Sequence, residues 1–225
     1  MPAISHPNLH RWDLQPEEAV ALQRKLAKLL ISDRPLVLDT LETVAGVDVS
    51  VKEGISRAAI VVLSFPVLEV LEASTAAIPT PFPYIPGLLS FREGEVILAA
   101  YEKLQRTPDV LIFDGQGQAH PRRLGIAAHI GLWLECPTVG CGKSRLTGWH
   151  EEPGQEKGDF EPLYARNGDV IGIVLRTRTG VKPVYVSPGH LCDLDSARRL
   201  IMACVTRYRL PEPIRQAHHL AGSGK

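Results

Sequence analysis

The chain has no CxxC pair, no long apolar run and no net charge, and each absence removes a class of protein. Its four cysteines (Cys136, Cys141, Cys192 and Cys204) are scattered over 225 residues. Without paired spacing they read as reduced thiols of an intracellular protein, not as a disulfide framework or a set of zinc ligands. No apolar run approaches the roughly 18 residues that a membrane-spanning helix needs. The N-terminus lacks a charged-then-apolar leader, so a cytoplasmic protein without membrane contact is the expectation. Lys and Arg total 25 and Asp and Glu total 25, so the formal net charge is zero. No overall basic field therefore draws in a polyanion. Nucleic-acid binding would have to rest on a metal and on local clusters such as Arg122-Arg123, Lys143 with Arg145, and Arg207 with Arg209 and Arg215.

What remains is an ordinary globular composition, 44% hydrophobic and 22% charged. One domain spanning residues 1–225 is expected, with residues 1–10 and 219–225 loosely ordered. The pattern predicts a helix from Pro16 to about Ile31, with Ala19, Leu22, Leu26, Leu29 and Leu30 on one face. Three strand-like runs follow, Val44–Val51, Ala58–Phe65 and Val67–Glu72, close enough together to be antiparallel hairpins. Four prolines stiffen the segment from Ile78 to Gly87 into an extended loop. A helix is predicted from Phe91 or Arg92 to Gln105, then a strand at Val110–Phe113, a helix from Arg123 to about Leu134, and a strand at Pro137–Gly140. The stretch from His150 to Asn167 reads as polar loop. A hairpin of Val170–Arg176 and Pro183–Ser187 and a helix from Asp193 to about Tyr208 complete the chain. Hairpins first, then strands alternating with helices, point to an α/β fold with a mixed sheet flanked by helices on both faces. That is the pattern of a ribonuclease-H-like domain, and of several other α/β folds.

The segment Asp109–Pro121 organises the chemistry. Its apolar run ends abruptly at Asp114, and Gly115 and Gly117 follow, where backbone can approach a ligand closely. A carboxylate at the end of a buried strand sits at the sheet edge where open α/β sheets bind ligands. Asp48 interrupts another apolar run, and Glu93 lies near the start of a helix. Carboxylates gathered round one point repel unless a hard divalent cation lies between them, and magnesium suits such ligands. That arrangement fits phosphodiester hydrolysis. Two shorter patterns fail: Gly142-Lys143-Ser144 has Pro137 where a P-loop needs glycine, and His190-Leu191-Cys192 lacks the partners of a zinc deaminase site.

Six segments occur in order: Val44-Ala-Gly-Val-Asp48; Pro83-Tyr-Ile-Pro-Gly87 with Leu89-Ser-Phe-Arg-Glu93; Phe113-Asp-Gly-Gln-Gly117 through His120-Pro-Arg-Arg-Leu-Gly125; Lys143-Ser-Arg-Leu146; Ser187-Pro-Gly-His190; and Pro211-Glu-Pro213. Together they closely resemble the endonuclease V family of deoxyinosine-directed nucleases, from about His10 to His218. The resemblance implies a ribonuclease-H-like fold and cleavage that depends on Mg²⁺, with Mn²⁺ able to substitute. The cut would fall at the second phosphodiester bond 3′ to the deaminated base. It implies Asp48, Asp114 and Glu93 as metal-binding catalytic acids, His218 (with His219 beside it) as an active-site histidine, and Lys143 at the scissile phosphate. Pro83, Tyr84, Ile85 and Pro86 would be a strand-separating wedge. Gly87, Leu89, Gly115, Gln116, Gly117 and His120 would line the pocket for a flipped base. The implied partner is double- or single-stranded DNA containing deoxyinosine, with inosine-containing RNA as the alternative, bound by a monomer. Cys141-Gly142 stand where family members often have Val-Ala, which implies altered loop flexibility without lost activity.

Overall fold

Alternation along Thr43–Lys52 (β1) sends Val44 to one apolar face of a sheet and Ala45 and Val47 to the other. A tight turn at Glu53-Gly54, both at positive φ, returns the chain into Ile55–Ser64 (β2), and Val70–Pro79 (β3) pairs antiparallel beyond it. After a helix at Leu89–Tyr101 (α2), Leu111–Phe113 (β4) enters parallel to β1. A second crossover helix, Ile126–Leu134 (α3), leads to Thr138–Gly142 (β5), parallel to β4. Phe160–Tyr164 (β6), Val170–Leu175 (β7) and Val184–Pro188 (β8) add antiparallel strands, giving the order β3-β2-β1-β4-β5-β8-β7-β6. This computed structural model describes residues 2–6 and 8–223.

Both faces of the sheet are covered, as the sequence pattern predicts. Phe113, Val47 and Leu111 pack with Val96, Ile97 and Tyr101 of α2 and Ile126 and Ile130 of α3. On the opposite face Val44, Ile112, Val139 and Cys141 pack under two further helices, Leu194–Ala203 (α4) and Glu212–Gly222 (α5), through Leu200, Ile201, Ile214 and Ala217. Each such fully buried aliphatic side chain contributes about 1.5–3 kcal/mol. The cysteines belong to this interior: all four are free and buried, and burial pushes the Cys136 and Cys204 thiols up to about 12. Among the described residues no helix is long and apolar enough to cross a membrane.

Several element boundaries differ from the sequence reading, each for a physical reason. The first helix (α1) spans Pro16–Leu26 and tightens into a 3-10 turn at Ala27–Leu29, leaving Leu29 exposed and putting Gln23 on the buried face with Ala19 and Leu26. The third strand begins at Val70 and runs to Pro79, because small residues such as Ser74 and Ala76 fit beneath α2; Ser74 Oγ donates to Ala100 O at 2.7 Å. The polar stretch after His150 contains β6, whose Pro162 is tolerated because β6 is an edge strand. Pro211 and Pro213, read as lying beyond the last helix, begin another one: Pro213 sits in the first turn of α5, where its missing N–H costs nothing.

The chain ends are also more engaged than expected. Residues 219–222 continue α5, and near the N-terminus Ser5 Oγ donates to Leu134 O while His6 N donates to Trp133 O. His10 Nε2 meets His129 Nε2 at 2.7 Å. Met1, Pro7, Gly224 and Lys225 lie outside the described residues.

Candidate active site

Parallel pairing of β1 with β4 sets Val47 opposite Phe113, so the next residues, Asp48 and Asp114, leave the sheet on the same side. That side faces α5. Gly46 makes its approach possible, since a Cβ there would stand 1.9 Å from the Pro213 carbonyl oxygen. With α5 seated this close, His218 reaches the acids, and its Nδ1 lies 2.7 Å from Asp48 Oδ2. A carboxylate only accepts, so Nδ1 carries the proton and donates it, leaving Nε2 toward solvent. Asp48, Asp114 and His218 each offer a ligand atom, all within 4.8 Å of one another. The two carboxylate oxygens suit a hard divalent cation, and the imidazole holds one of them in place through its Nδ1–H.

Lys143 follows β5 at the same sheet edge and forms an ion pair with Asp114 Oδ2. Glu93 comes from α2 on the other face. The helix starts at Leu89, earlier than the sequence suggested, so Glu93 sits in its second turn. It falls outside the close group of three, yet it feels both acids. Burial first, then the charges of Asp48 and Asp114, push its carboxyl up to about 8 against the pull of Arg92. Burial also raises Asp114, against the hydrogen bond and charge of Lys143. Negative charge is thus crowded here and only partly compensated.

A pocket of about 420 Å³ opens beside the acids, and Asp114 and Lys143 form part of its wall. Gly87, Leu89, Gly115, Gln116 and His120 line it, and so do Tyr84 and Ile85. Gly117 does not. Its backbone N–H is held by Ser187 Oγ at 2.9 Å, and a Cβ there would lie 2.2 Å from Pro188 O, so it is a packing glycine behind the pocket. That contact also accounts for the Ser187-Pro-Gly motif. Tyr84 is 68% exposed between the exposed Pro83 and Pro86, while Phe82 just before them is buried. Cys141 and Gly142 are ladder residues of β5, paired with Val186 and Tyr185. Gly142 abuts the Gln116 amide, where a Cβ would come within 2.2 Å of Nε2. The substitution expected to loosen a loop thus lies in regular strand.

Sequence reasoning missed Gln23, Leu124, Gly125, Ile126 and the Ser144–Leu146 segment as pocket walls. Leu124, Gly125 and Leu146 lie inside the recognised motifs and could have been chosen from them. Gln23 carries only one signal, a polar residue in register with the buried Ala19 and Leu26 of α1.

Comparison with known proteins agrees with this geometry. The family model for Endonuclease V matches residues 24–219. An endonuclease V from Nostoc punctiforme is 50% identical over 216 residues, covering 95% of this chain and 97% of the relative. The crystal structure of an endonuclease V from Streptomyces avermitilis superposes with a TM-score of 0.89 at 42% identity, covering 93% of this chain and 92% of that one. An endonuclease V from Ciona intestinalis, solved with a 24-mer DNA containing an inosine followed by a ribo-adenosine, gives a TM-score of 0.77 at 28% identity over 91% of this chain and 95% of its own. An acid cluster at the edge of a mixed sheet, a contiguous pocket and matches over nearly the whole length lead to one conclusion: the chain belongs to the endonuclease V family of nucleases.

Proposed function

We propose that the protein is a Mg²⁺-dependent repair endonuclease that recognises deoxyinosine in DNA. It hydrolyses the second phosphodiester bond 3′ to the lesion and leaves 3′-hydroxyl and 5′-phosphate ends. The observation that carries this reading is the shared wall: Asp114 and Lys143 belong both to the acid group and to the pocket. A base held in that pocket keeps its own strand beside the acids. Inosine-containing nucleic acid as the substrate is supported by the Ciona relative's complex.

Asp48 and Asp114 would hold the metal, with the charge of Glu93 coupled to both and His218 orienting Asp48 through its Nδ1–H. Bound there, a divalent ion supplies positive charge to the phosphate. The protein's own groups do the rest. With its Nδ1–H engaged by Asp48, His218 would take a proton from the attacking water through Nε2 as the water oxygen bonds to phosphorus and the P–O3′ bond breaks, the O3′ taking up a proton from solvent. Lys143 neutralises charge on the phosphate. Tyr84, held at a proline-stiffened tip, fills the gap left by the flipped base with little ordering cost. A mispaired base is also cheaper to extract than a well-paired one. Tyr84→Ala is expected to weaken binding to an inosine-containing duplex by roughly 1–3 kcal/mol in a fluorescence-anisotropy titration; unchanged affinity would remove the wedge.

The test is cleavage, in Mg²⁺, of end-labelled duplexes differing by one deoxyinosine, beside an inosine-containing single-stranded RNA. One nick at the second bond 3′ to deoxyinosine, lost in EDTA while binding persists, is the expected result. Cutting of the RNA alone would move the same active site to RNA turnover, and cutting in EDTA would overturn the metal assignment.

A further inference from the structure

Gln23 is 1% exposed on the buried face of α1, between Ala19 and Leu26. A buried amide there is costly unless its hydrogen bonds are met, and all of them are spent on the site described above. Its Nε2 donates to Gly87 O at 3.0 Å and to Leu124 O at 3.2 Å, and its Oε1 accepts from Arg122 Nε at 2.5 Å. Gly87 is the joint between the Pro83–Pro86 loop and α2, and its φ of +82° is one that a side chain would strain. The Gly87 carbonyl also accepts from Arg122 Nη2 at 2.8 Å and from His120 Nε2 at 2.9 Å. Arg122 N–H donates to His120 Nδ1 at 3.1 Å, which fixes the proton of the neutral ring on Nε2 and makes the His120 contact a true donation. Leu124 is on the pocket wall. One side chain from α1 therefore ties the base of the loop to the wall of the pocket.

We infer that Gln23 is a positioning residue that locks the wedge to the base pocket, so that strand separation and base capture occur as one rigid docking event. The inference rests on the proposed deoxyinosine-directed reading. The loop has two anchors. Phe82 is buried with Leu88, Phe91 and Ala19 at the entry, and Gly87 is held at the exit. The tip between them is largely exposed, so its aim depends on how firmly those ends are held. A preorganised tip avoids the ordering cost of binding. That saving matters where the wedge must prise paired strands apart and much less on a single strand, where nothing has to be displaced.

The experiment compares kcat/KM for one deoxyinosine oligonucleotide as a single strand and as a duplex, with Mg²⁺, for wild type, Gln23→Met and Arg122→Lys. Gln23→Met keeps length and removes every hydrogen bond of the amide. Arg122→Lys keeps the charge at a partly exposed position and removes the planar fork, so the inference stays testable if Gln23→Met does not fold. The expected result for either variant is a single-strand to duplex ratio of kcat/KM raised about tenfold over wild type, the duplex loss falling mainly in KM. A merely structural role would lower both substrates together. An unchanged ratio, with or without such a uniform loss, overturns the inference. A wild type that cuts neither substrate overturns the underlying functional reading, and this inference with it.

Discussion

Asp114→Asn and Asp48→Ala each lower single-turnover cleavage of a deoxyinosine substrate by at least about 10³-fold, while binding to the same substrate survives. The magnitude is what removal of a preorganised electrostatic group costs when charge develops in the transition state. Asparagine keeps the shape of Asp114 but offers no anionic oxygen and leaves Lys143 without its ion-pair partner. Alanine at position 48 removes one of the two carboxylates proposed to hold the metal and also the acceptor that orients His218. Binding persists because most of the pocket wall, Gly87, Leu89, Gln116 and His120 included, and the wedge of prolines and Tyr84 are left as they were, and asparagine keeps the shape of the wall at position 114. The metal-free folded state is not weakened in proportion, since each change removes one charge from a crowded, part-buried group of acids. Quenched-flow cleavage in Mg²⁺, paired with binding titrations in EDTA, checks both halves. Wild-type cutting by either variant would remove the metal-site assignment.

Stability in acid is the second large effect. His120 is buried, and burial pushes its pKa down to about 4. His129, fully buried with Ser90 Oγ at 2.8 Å from its Nδ1, is lowered well below its ordinary value, again by burial. Both rings fold neutral, so between pH 6.5 and 4 the unfolded chain binds protons that the folded chain refuses. Their contribution is therefore complete above pH 6.5 and is lost as pH falls below it; for His120 the loss runs to about pH 4 and amounts to about 3 kcal/mol. Glu93 acts the other way: with its folded pKa raised to about 8, its contribution is complete below pH 4.5 and is lost as pH rises through 8. Wild type should accordingly show a blunted acid transition and Glu93→Gln a steep one, in urea melts taken between pH 7 and 4. Identical pH profiles for the two proteins would contradict the buried, proton-holding state of Glu93.

The strands that carry the acids were legible because a charge breaks each apolar run: Asp48 interrupts a run that goes on beyond it, and the run before Asp114 stops there, at the end of its strand. Parallel pairing of β1 and β4 then brings Asp48 and Asp114 together, a neighbour relation that the pattern of elements left open. His218 was legible only by resemblance. The helix that delivers it opens with Pro211 and Pro213, residues that end helices as readily as they begin them, and only packing over Gly46 decides between the two. Small residues hid most of β3 and Pro162 hid β6, because an edge strand is held by one neighbour and needs little of the β-branched content that marks a central strand. Gln23 was read past as a polar residue on an otherwise apolar helix face, since nothing local tells a satisfied buried amide from a solvated one.

The seating of α5 over Gly46 has a consequence for the life of the chain on the ribosome. Asp48, Glu93, Asp114 and Lys143 emerge in that order, and the bond from His218 back to Asp48 spans 170 positions. Until Glu212–Gly222 has left the exit tunnel, the face of β1 bearing Asp48 lacks its cover and the catalytic group lacks its histidine. The sheet can condense early, since domains fold as their N-terminal parts appear. The histidine that orients Asp48 is the last of the group to be made. The acids and the lysine can thus come together before the side chain that tethers Asp48 to α5 has been made.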